Sequence, residues 1–240
     1  HPMVWKASGH VSNFSDPMID CRKCKKRYRV DEIDPEFEDK IAAAKAQATE
    51  IGAPLDISLF APKQCPDPKC KGELTPARKF NLMFETNIGP VVESAAKTFL
   101  RPETAQGIFA NFANVLNSTR VKVPFGIAQI GKAFRNEINP RNFTFRSREF
   151  EQAELEFFCH PSESAKWFEH WRDERIRFHR ELGFGEHQLR IVPHTTLAHY
   201  AKAAVDLEFL FPFGWQEIEG VHDRGSYDLG QHAEYSGKDL

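Results

Sequence analysis

Residues 134–158, FRNEINPRNFTFRSREFEQAELEFF, are the most informative segment of the sequence. It holds four arginines, five glutamates and six phenylalanines within twenty-five residues. That mixture is unusual both for a solvated surface, where large aromatic side chains are scarce, and for a dry core, where unpaired charge is costly. A segment that gathers both signs of charge around several rings is therefore a candidate ligand-binding segment.

Two local structures are open for this stretch. Glu, Gln, Ala and Leu are good helix formers, so propensity favours a solvated, salt-bridged helix over 148–158. The preceding INPRNF, residues 138–143, is rich in turn formers, and Pro140 restricts Asn139 to extended geometry, which favours a hairpin. The pattern alone does not decide between helix and hairpin.

In the hairpin, one face of the return strand is polar around a single ring. Side chains alternate between the two faces of a strand, so this face carries Arg146, Arg148, Phe150, Gln152, Glu154 and Glu156. Guanidinium groups suit phosphate oxygens, a ring suits a base, and carboxylates suit an amine. Such a face predicts a binding site for a nucleotide triphosphate.

The composition is that of a globular chain with a sizeable core. The chain has 240 residues, of which 41% are hydrophobic. It has no apolar run of the roughly 18 residues that cross a bilayer, and its first ten residues lack a secretory pattern, so we expect a cytoplasmic protein without membrane contact. The formal net charge of -2 argues against a surface that binds nucleic acid throughout, so any phosphate binding should be local.

Hydrophobic spacing predicts the neighbouring elements. A helix should follow Pro102, because its apolar residues fall near a 3.6-residue period: Ile108, Phe109, Phe112, Val115 and Leu116. Residues 123–138 predict a strand. Further helices are predicted over 36–52, over 162–182 with Ser162 as cap and Gly183 as stop, and over 195–207.

The cysteines predict a metal site of the zinc-ribbon kind. Cys21 and Cys24 are separated by two residues, and Cys65 and Cys70 by four. The second spacing is looser than the usual CxxC, and about 40 residues lie between the pairs, where ribbons usually have about 15–20. Four reduced thiols in a degenerate ribbon are the open alternative, while Cys159 is expected to be a small buried hydrophobe.

The stretch resembles motif 2 of the class II aminoacyl-tRNA synthetases, in which Phe-Arg-x-Glu, a loop and Arg-x-x-x-Phe follow one another. Phe134, Arg135 and Glu137 match the first half, and Arg146 and Phe150 the second. Longer strings are similar to those of the homodimeric glycyl-tRNA synthetases: FSDPMIDCRKCKKRYRVDE at 14–32, RPETAQG at 101–107, GIAQIGKAFRNEINPR at 126–141, REFEQAELE at 148–156 and WQEIEGVHDRGSYDL at 215–229.

The resemblance implies an α+β fold: a class II catalytic core with an antiparallel sheet flanked by helices, a small Cys-containing insertion, and motif 2 as a long hairpin. It implies four segments, which are 1–79 with a zinc-ribbon-like insertion at about 13–78, 80–160 with motif 2, a helical insertion at 161–190, and the core continuation at 191–240. Motif 1 is expected before His1, and motif 3 and an anticodon-binding domain after Leu240.

The implied activity is that of a glycine-tRNA ligase. Glycine attacks the α-phosphorus of ATP to give glycyl-adenylate and pyrophosphate, and the glycyl group then passes to the 3′ end of tRNA(Gly). By correspondence, Arg135 would hold the α-phosphate and the attacking carboxylate together, and its planar fork suits that role better than Lys. Glu137 would accept from the adenine amino group, Phe150 would stack on the ring, and Arg146 would reach the γ-phosphate, with Arg148 as a further phosphate or loop contact.

The remaining roles also come from the resemblance. Glu103 and Glu154 correspond to acidic residues that bind the glycine ammonium group, in a pocket whose walls exclude a methyl group. Glu217 is the candidate carboxylate for Mg2+, with Glu219 on the same strand face as the runner-up. Arg141 and Asn142, at the hairpin tip, would contact the tRNA acceptor end, and a homodimer is expected.

Three alternatives remain at this point. Each of the residues above also has a plain structural interpretation as an ion pair, a packed ring or a solvated charge. The enzyme could be another class II synthetase, or the chain could be a zinc-ribbon nucleic-acid-binding module or a non-catalytic relative of a synthetase. The joint presence of the arginines and glutamates favours the enzyme, because a binding module has no use for that set.

Overall fold

The computed structural model describes residues 1–34, 36, 37, 40, 41, 62–91, 96–195 and 197–240. These residues form two compact units. Unit one comprises His1–Ser8, Glu103–Ala133 and Glu151–Leu240, and unit two comprises Gly9–Pro102 and Phe134–Phe150. The segment boundaries given above from the resemblance stay predictions. Over the described parts of the chain, no helix combines the length and apolar character that a membrane crossing needs.

Unit one combines helices with a three-stranded antiparallel sheet. Its helices are α1 (Pro2–Ala7), α4 (Ala105–Ala110), α5 (Phe112–Thr119), α6 (Ser164–Glu181) and α7 (Tyr227–Ser236). The sheet has the order β10-β9-β8, formed by β8 (Leu189–Pro193), β9 (Ala203–Phe211) and β10 (Gly214–Asp223). Helix α6 packs on β10, and α7 packs on α1 and α4.

The core of unit one is aromatic. Phe158 lies against Phe109, Phe112 and Phe125, with ring centroids 6.2, 4.7 and 5.3 Å away. Ala105 and Ile108 complete the buried cluster, so α4 and α5 are held to the strands by apolar contact. This packing fixes the segment Glu103–Gln106, which carries site residues described below.

Unit two is built from short antiparallel pieces. Its elements are α2 (His10–Asn13), β1 (Ser15–Asp20), β2 (Arg27–Arg29), α3 (Val30–Ile33), β3 (Arg78–Asn81), β4 (Glu85–Ile88) and β5 (Ala96–Phe99). One sheet has the order β2-β1-β3, and β4 pairs with β5. Its core includes Ile19, Val30 and Leu74 together with three of the cysteines.

The hairpin prediction is confirmed. Strands β6 (Phe125–Phe134) and β7 (Glu149–Phe158) pair, and the turn between them is closed by an antiparallel bridge between Arg141 and Arg146. Along β7 the predicted ligand face is the less exposed one, because Phe150, Gln152, Glu154 and Glu156 are partly buried while the residues between them are mostly exposed. Strand pairing therefore overrides the helix propensity of REFEQAELEFF. The predicted α+β class, with antiparallel sheets and helices, is confirmed.

Several predicted helices need correction. The helix over 195–207 is wrong, because Ala203–Phe211 is the central strand of a sheet, with Ala204, Val205 and Leu207 buried between two partners. The helix after Pro102 is interrupted at Asn111, whose side-chain amide donates to the carbonyl of Gly107. The helix predicted over 36–52 lies largely outside the described residues.

The helix predicted over 162–182 is confirmed, with a different start. Helix α6 begins at Ser164, after a 3-10 turn at Pro161–Glu163 that is capped by the ring of His160 rather than by Ser162. It ends at Glu181, and Gly183 follows with φ +99°, a backbone conformation that glycine adopts without a steric penalty.

Candidate active site

Unit one contains a group of polar side chains that we call the acidic cluster: Glu103, Gln106, Glu154, Glu156, Arg224 and Asp228. The structure brings together the two residues predicted to bind glycine, because the charge of Glu103 acts directly on Glu154. Glu154 accepts two hydrogen bonds from Thr104, one from its backbone N–H and one from its hydroxyl, both at 2.8 Å. Strand β7 and the segment before α4 are therefore joined at this carboxylate.

Arg224 is the cation of the acidic cluster. Its Nε and Nη2 donate to the two carboxylate oxygens of Asp228 at 2.7 and 2.9 Å, a bidentate pair on a buried aspartate. The guanidinium carbon lies 3.9 Å from the ring centroid of Tyr200 and 5.4 Å from that of Phe109. A flat guanidinium stacked on a ring and paired at one edge is held in one orientation.

Gln106 connects the two sides of the acidic cluster. Its side chain is fully buried, and its Nε2 donates to Glu103 at 3.1 Å and to Asp228 at 3.0 Å. Its Oε1 lies 2.9 Å from Nε2 of His232, a buried residue of α7. Every polar atom of this amide therefore has a partner, as buried polar groups require.

Burial and mutual repulsion change the proton affinities of the carboxyl groups in this cluster. Burial, together with the charge of Glu103, raises the pKa of Glu154 above its ordinary value. Burial raises the pKa of Glu156 to about 8, against the opposing effect of Arg224. Burial alone would lower the pKa of Arg224, but its hydrogen bonds to Asp228 and the charges of the nearby carboxylates raise it instead. The cluster thus holds one fixed cation among several carboxylates.

Unit two contains the residues predicted to bind ATP on the motif 2 hairpin, together with Arg141 at its tip. We call this group the arginine hairpin: Arg135, Glu137, Arg141, Arg146, Arg148 and Phe150. Nε of Arg135 donates to the backbone carbonyl of Pro102 at 3.2 Å, and its guanidinium carbon lies 5.2 Å from the Phe150 ring centroid. Nε of Arg148 donates to the backbone carbonyl of Glu137 at 2.9 Å. Backbone carbonyls carry no net charge, so these contacts orient both guanidinium groups and leave their charge available for an anion.

The turn of the arginine hairpin carries the predicted tRNA residues. Arg141 and Arg146 exchange two backbone hydrogen bonds, at 3.0 and 3.2 Å, and Asn142 and Phe143 both have positive φ values of 57° and 55°. The same turn places Arg146 3.6 Å from the carboxylate of Glu137, and both residues line a cavity of about 40 Å³ together with Arg27 and Arg141. The predicted γ-phosphate and adenine contacts are thus neighbours.

The two carboxylates considered for Mg2+ differ. Glu217 is exposed, and β10 has a bulge between Glu217 and Glu219, so the regular alternation predicted there is interrupted. Glu219 accepts from Nε of Arg175 at 2.5 Å and is 2.8 Å from Nε2 of His179, both on α6. Glu219 therefore attaches α6 to β10, and Glu217 remains the candidate for the metal.

The four predicted cysteines come together in unit two. Their Sγ atoms all lie within 4.8 Å of one another, with Cys21 and Cys70 3.6 Å apart and Cys24 and Cys65 3.9 Å apart. A tetrahedral zinc with Zn–S bonds of about 2.3 Å requires S–S separations of about 3.8 Å. The backbone N–H of Cys24 donates to Sγ of Cys21, and this bond, together with hydrogen bonds from Lys23 and the neighbouring thiols, lowers the pKa of Cys21 to about 6.

Gly72 is needed for this close approach. A Cβ atom at Gly72 would lie 2.6 Å from Cβ of Lys23 and 2.9 Å from Sγ of Cys21, closer than side chains tolerate. The loop between the second cysteine pair and Leu74 can therefore pass beside the sulfurs only with glycine at this position. All five cysteines are free thiols.

Three members of the acidic cluster, and their partner His232, were not predicted from the sequence. Arg224 and Asp228 lie in WQEIEGVHDRGSYDL and Gln106 in RPETAQG, so the strings that carried the resemblance contained them. No spacing rule connects Gln106 with His232, 126 positions later. Glu156 was placed on the ligand face of the hairpin without a role, and its raised pKa follows from packing.

Comparisons with known proteins agree on one family. A model of the tRNA synthetase class II core domain (G, H, P, S and T) matches residues 91–229. Glycine-tRNA ligases of Treponema denticola and Clostridium tetani are 49% and 51% identical to this chain, over 242 and 248 residues. These alignments cover 100% and 99% of the chain, but 48% and 52% of the relatives, so the chain spans about half their length.

A solved structure has a similar fold. Seryl-tRNA synthetase from Pyrococcus horikoshii, complexed with ATP, matches with a TM-score of 0.50 and 18% sequence identity. The match covers 63% of this chain and 33% of that one. At this identity the likeness concerns the fold alone.

Proposed function

The chain belongs to the tRNA synthetase class II core-domain family, and we propose that the protein containing it is a glycine-tRNA ligase. It activates glycine with ATP to form glycyl-adenylate and pyrophosphate, and it transfers the glycyl group to the 3′ end of tRNA(Gly). The observation that carries this proposal is the acidic cluster, in which Gln106 donates to Glu103 and the next residue in the chain, Thr104, donates to Glu154. Closely spaced carboxylates in a buried site gain free energy when a small cation such as an ammonium group enters.

The arginine hairpin supplies the complementary chemistry. We propose that Arg135 holds the α-phosphate and the attacking carboxylate. Its hydrogen bond to the backbone carbonyl of Pro102 orients the guanidinium group, and because that carbonyl is uncharged, the bond does not neutralise the positive charge. Glu137 accepts from the adenine amino group, Phe150 stacks on the base, and Arg146 and Arg148 bind phosphate oxygens. These roles use positioning and charge, which is the main contribution a protein makes to phosphoryl chemistry.

The remaining partners follow from the same proposal. Mg2+, when bound with ATP, neutralises phosphate charge, and the exposed Glu217 is the proposed protein ligand. Arg141 and Asn142 contact the acceptor end of the tRNA, where phosphate contacts fix the position of the strand. The free thiols fit the reducing cytoplasm that we propose as its location. The homodimer stays a prediction.

The activity is tested by ATP–pyrophosphate exchange on the full-length protein that contains this chain. Exchange should depend on glycine, with little activity for alanine or serine, because a methyl group would overpack the pocket. Glu103→Gln should raise the glycine KM by about tenfold or more, since a charged hydrogen-bond partner is worth about 1.5–3 kcal/mol. Glu151→Gln, on the exposed face of β7, is the matched control and should behave as wild type.

Two results would reject the proposal. Exchange with alanine or serine and none with glycine would show a different synthetase. RNA binding without exchange for any amino acid would favour a nucleic-acid-binding module. The ATP KM in each variant separates loss of the ammonium site from general damage.

We also propose that Cys21, Cys24, Cys65 and Cys70 hold a structural zinc ion. The sulfur separations support tetrahedral coordination, and the backbone N–H bonded to Cys21 stabilises a thiolate. Protein prepared without chelator should contain one zinc per chain, and Cys24→Ser should lose it. Cys159→Ser is the matched control, because Cys159 lies outside the cluster. Four titratable thiols without metal in native protein would contradict the zinc.

A further inference from the structure

The buried amide of Gln106 has an unusual set of partners. It comes from α4, its two carboxylate partners come from the segment before α4 and from α7, and His232 on α7 closes the set. Gln106 is fully buried, and Asp228 and His232 are 3% and 8% exposed. These groups have therefore left water for one another, and their hydrogen bonds determine their positions.

The chemistry of the partners fixes the direction of every hydrogen bond. Ionised carboxylates only accept, so the amide nitrogen of Gln106 must be the atom that faces Glu103 and Asp228. Its oxygen then faces His232, and because this oxygen only accepts, Nε2 of His232 must carry a hydrogen. Burial lowers the pKa of His232, which favours the neutral ring with its hydrogen on Nε2. The imidazole thus prevents the amide from turning over.

The amide of Gln106 is an uncharged donor between two carboxylates, so it orients them without neutralising their charge. A lysine or arginine at position 106 would neutralise Glu103, whereas an amide orients the carboxylate and leaves its charge in place. The second hydrogen bond of Gln106 orients Asp228, which in turn holds both Nε and Nη2 of Arg224. One amide therefore sets the positions of the anionic group Glu103 and of the cationic group Arg224.

We propose that Gln106 and His232 are positioning residues for amino-acid binding: His232 fixes the amide of Gln106, that amide holds Glu103 where the ammonium group of the substrate is recognised, and it holds Asp228 where this carboxylate orients Arg224. This inference rests on the proposed function and deepens it. Neither residue needs to touch the substrate. Their effect is to reduce the reorganisation that Glu103 and Arg224 would otherwise undergo when the amino acid binds.

If Gln106 and His232 only join α4 to α7, the variants should behave differently. Loss of these hydrogen bonds would then lower the melting temperature and leave the KM for each substrate unchanged. A positioning role predicts a selective change, with weaker binding of the amino acid and unchanged binding of ATP. The ratio of the two KM values separates these outcomes.

The test uses the full-length protein, with glycine and ATP varied separately in ATP–pyrophosphate exchange. His232→Leu removes the N–H and should raise the glycine KM by about tenfold, with the ATP KM within about twofold of wild type. His232→Gln restores a donor at this position and should return the glycine KM to within about threefold of wild type. His187→Leu, an exposed histidine of the same unit, should change neither KM.

Gln106→Met is the second variant, since it keeps the length of the side chain and removes both of its polar groups. It should raise the glycine KM at least as much as His232→Leu. If both apolar variants fail to fold, Gln106→Asn decides, because it retains an amide that is one methylene too short. A normal glycine KM in whichever of these variants folds, or equal rises in both KM values, would overturn the inference.

Failure of the proposed function gives a different result. If wild-type protein exchanges with another amino acid, the same variants are scored with that amino acid, because Glu103 faces an ammonium group in every case. The inference then stands although glycine is wrong. If no amino acid supports exchange, both proposals fall.

Discussion

The acidic cluster of unit one and the arginine hairpin of unit two hold their charges in different ways. In the acidic cluster, side chains bond to side chains: Gln106 to Glu103 and Asp228, and Asp228 to Arg224. In the arginine hairpin, the guanidinium groups of Arg135 and Arg148 donate to backbone oxygens. The first arrangement makes its polar groups depend on one another, and the second leaves each arginine separately anchored.

Substitutions in the two regions should therefore have different effects on stability and on activity. A buried charge that loses its partner keeps its full desolvation cost, so changes in the acidic cluster should destabilise the protein. A half-exposed guanidinium can lose its contacts at a small cost, because water replaces them. Changes in the arginine hairpin should therefore affect the reaction more than the fold.

The largest expected effect on stability is that of Asp228→Ala. It leaves Arg224 buried without the carboxylate that accepts from both Nε and Nη2, so the free energy of unfolding should fall by about 3–5 kcal/mol. Chemical denaturation of the full-length protein measures this. The matched control is Asp173→Ala, an exposed aspartate paired with Arg172, which should leave the free energy of unfolding close to that of wild type because water replaces the pair. Equal losses of unfolding free energy in the two variants would show that the buried pair in the acidic cluster stabilises the protein no more than a surface pair.

Arg135→Ala should give the opposite pattern. Loss of one positioned donor at a phosphoryl centre should lower kcat for exchange by about 100- to 1000-fold. The free energy of unfolding should change by only about 1–2 kcal/mol, because the side chain has one hydrogen bond to Pro102 and partly exposed ring contacts to Phe14 and Phe150 to lose. Arg180→Ala, exposed on α6, should leave exchange unchanged. Near-normal exchange by Arg135→Ala would refute the motif 2 assignment.

The pH dependence of stability tests the carboxyl groups of the acidic cluster. Because the pKa of Glu156 is raised from 4.5 to about 8, the folded protein holds a proton that the unfolded chain has released. Glu156 therefore makes stability fall as the pH rises from about 5 to 8, by at most about 1.4 kcal/mol per pH unit. Glu156→Gln should remove this part of the slope, and Glu151→Gln should not. Parallel curves for wild type and Glu156→Gln would contradict the raised pKa.

The smallest effect is expected for the ion pair at the hairpin turn. Arg146 lies 3.6 Å from Glu137 and is partly exposed, so Arg146→Ala should change the free energy of unfolding by less than about 1 kcal/mol. Its ATP KM should still rise by about tenfold if Arg146 binds phosphate, and the glycine KM should not change. An effect on stability above 2 kcal/mol, larger than that of a surface pair, would erase the contrast between the two regions.

The family could be recognised from the order of residues alone, and the hairpin followed from that recognition. Strings such as RPETAQG and REFEQAELE place particular residue types at fixed spacings, so their resemblance to a family can be recognised without a structure. The turn formers around Pro140 left the hairpin open beside a helix, and the resemblance to motif 2 favoured the hairpin that the structure contains. The helix predicted over 195–207 was wrong, because pairing of Ala203–Phe211 with two neighbouring strands outweighs the preference of alanine for a helix.

Which polar groups contact one another depends on the packing of segments that are distant in sequence. The two cysteine pairs, 41 positions apart at Cys24 and Cys65, were predicted to converge from their spacing, but the contact between Gln106 and His232 spans 126 positions and follows no local pattern. Likewise, the sequence does not distinguish Glu217 from Glu219 as a metal ligand. The packing of α6 on β10 brings Arg175 and His179 to the carboxylate of Glu219. The sequence specifies the chemistry of each side chain, but its burial and its hydrogen-bond partners depend on how distant segments pack.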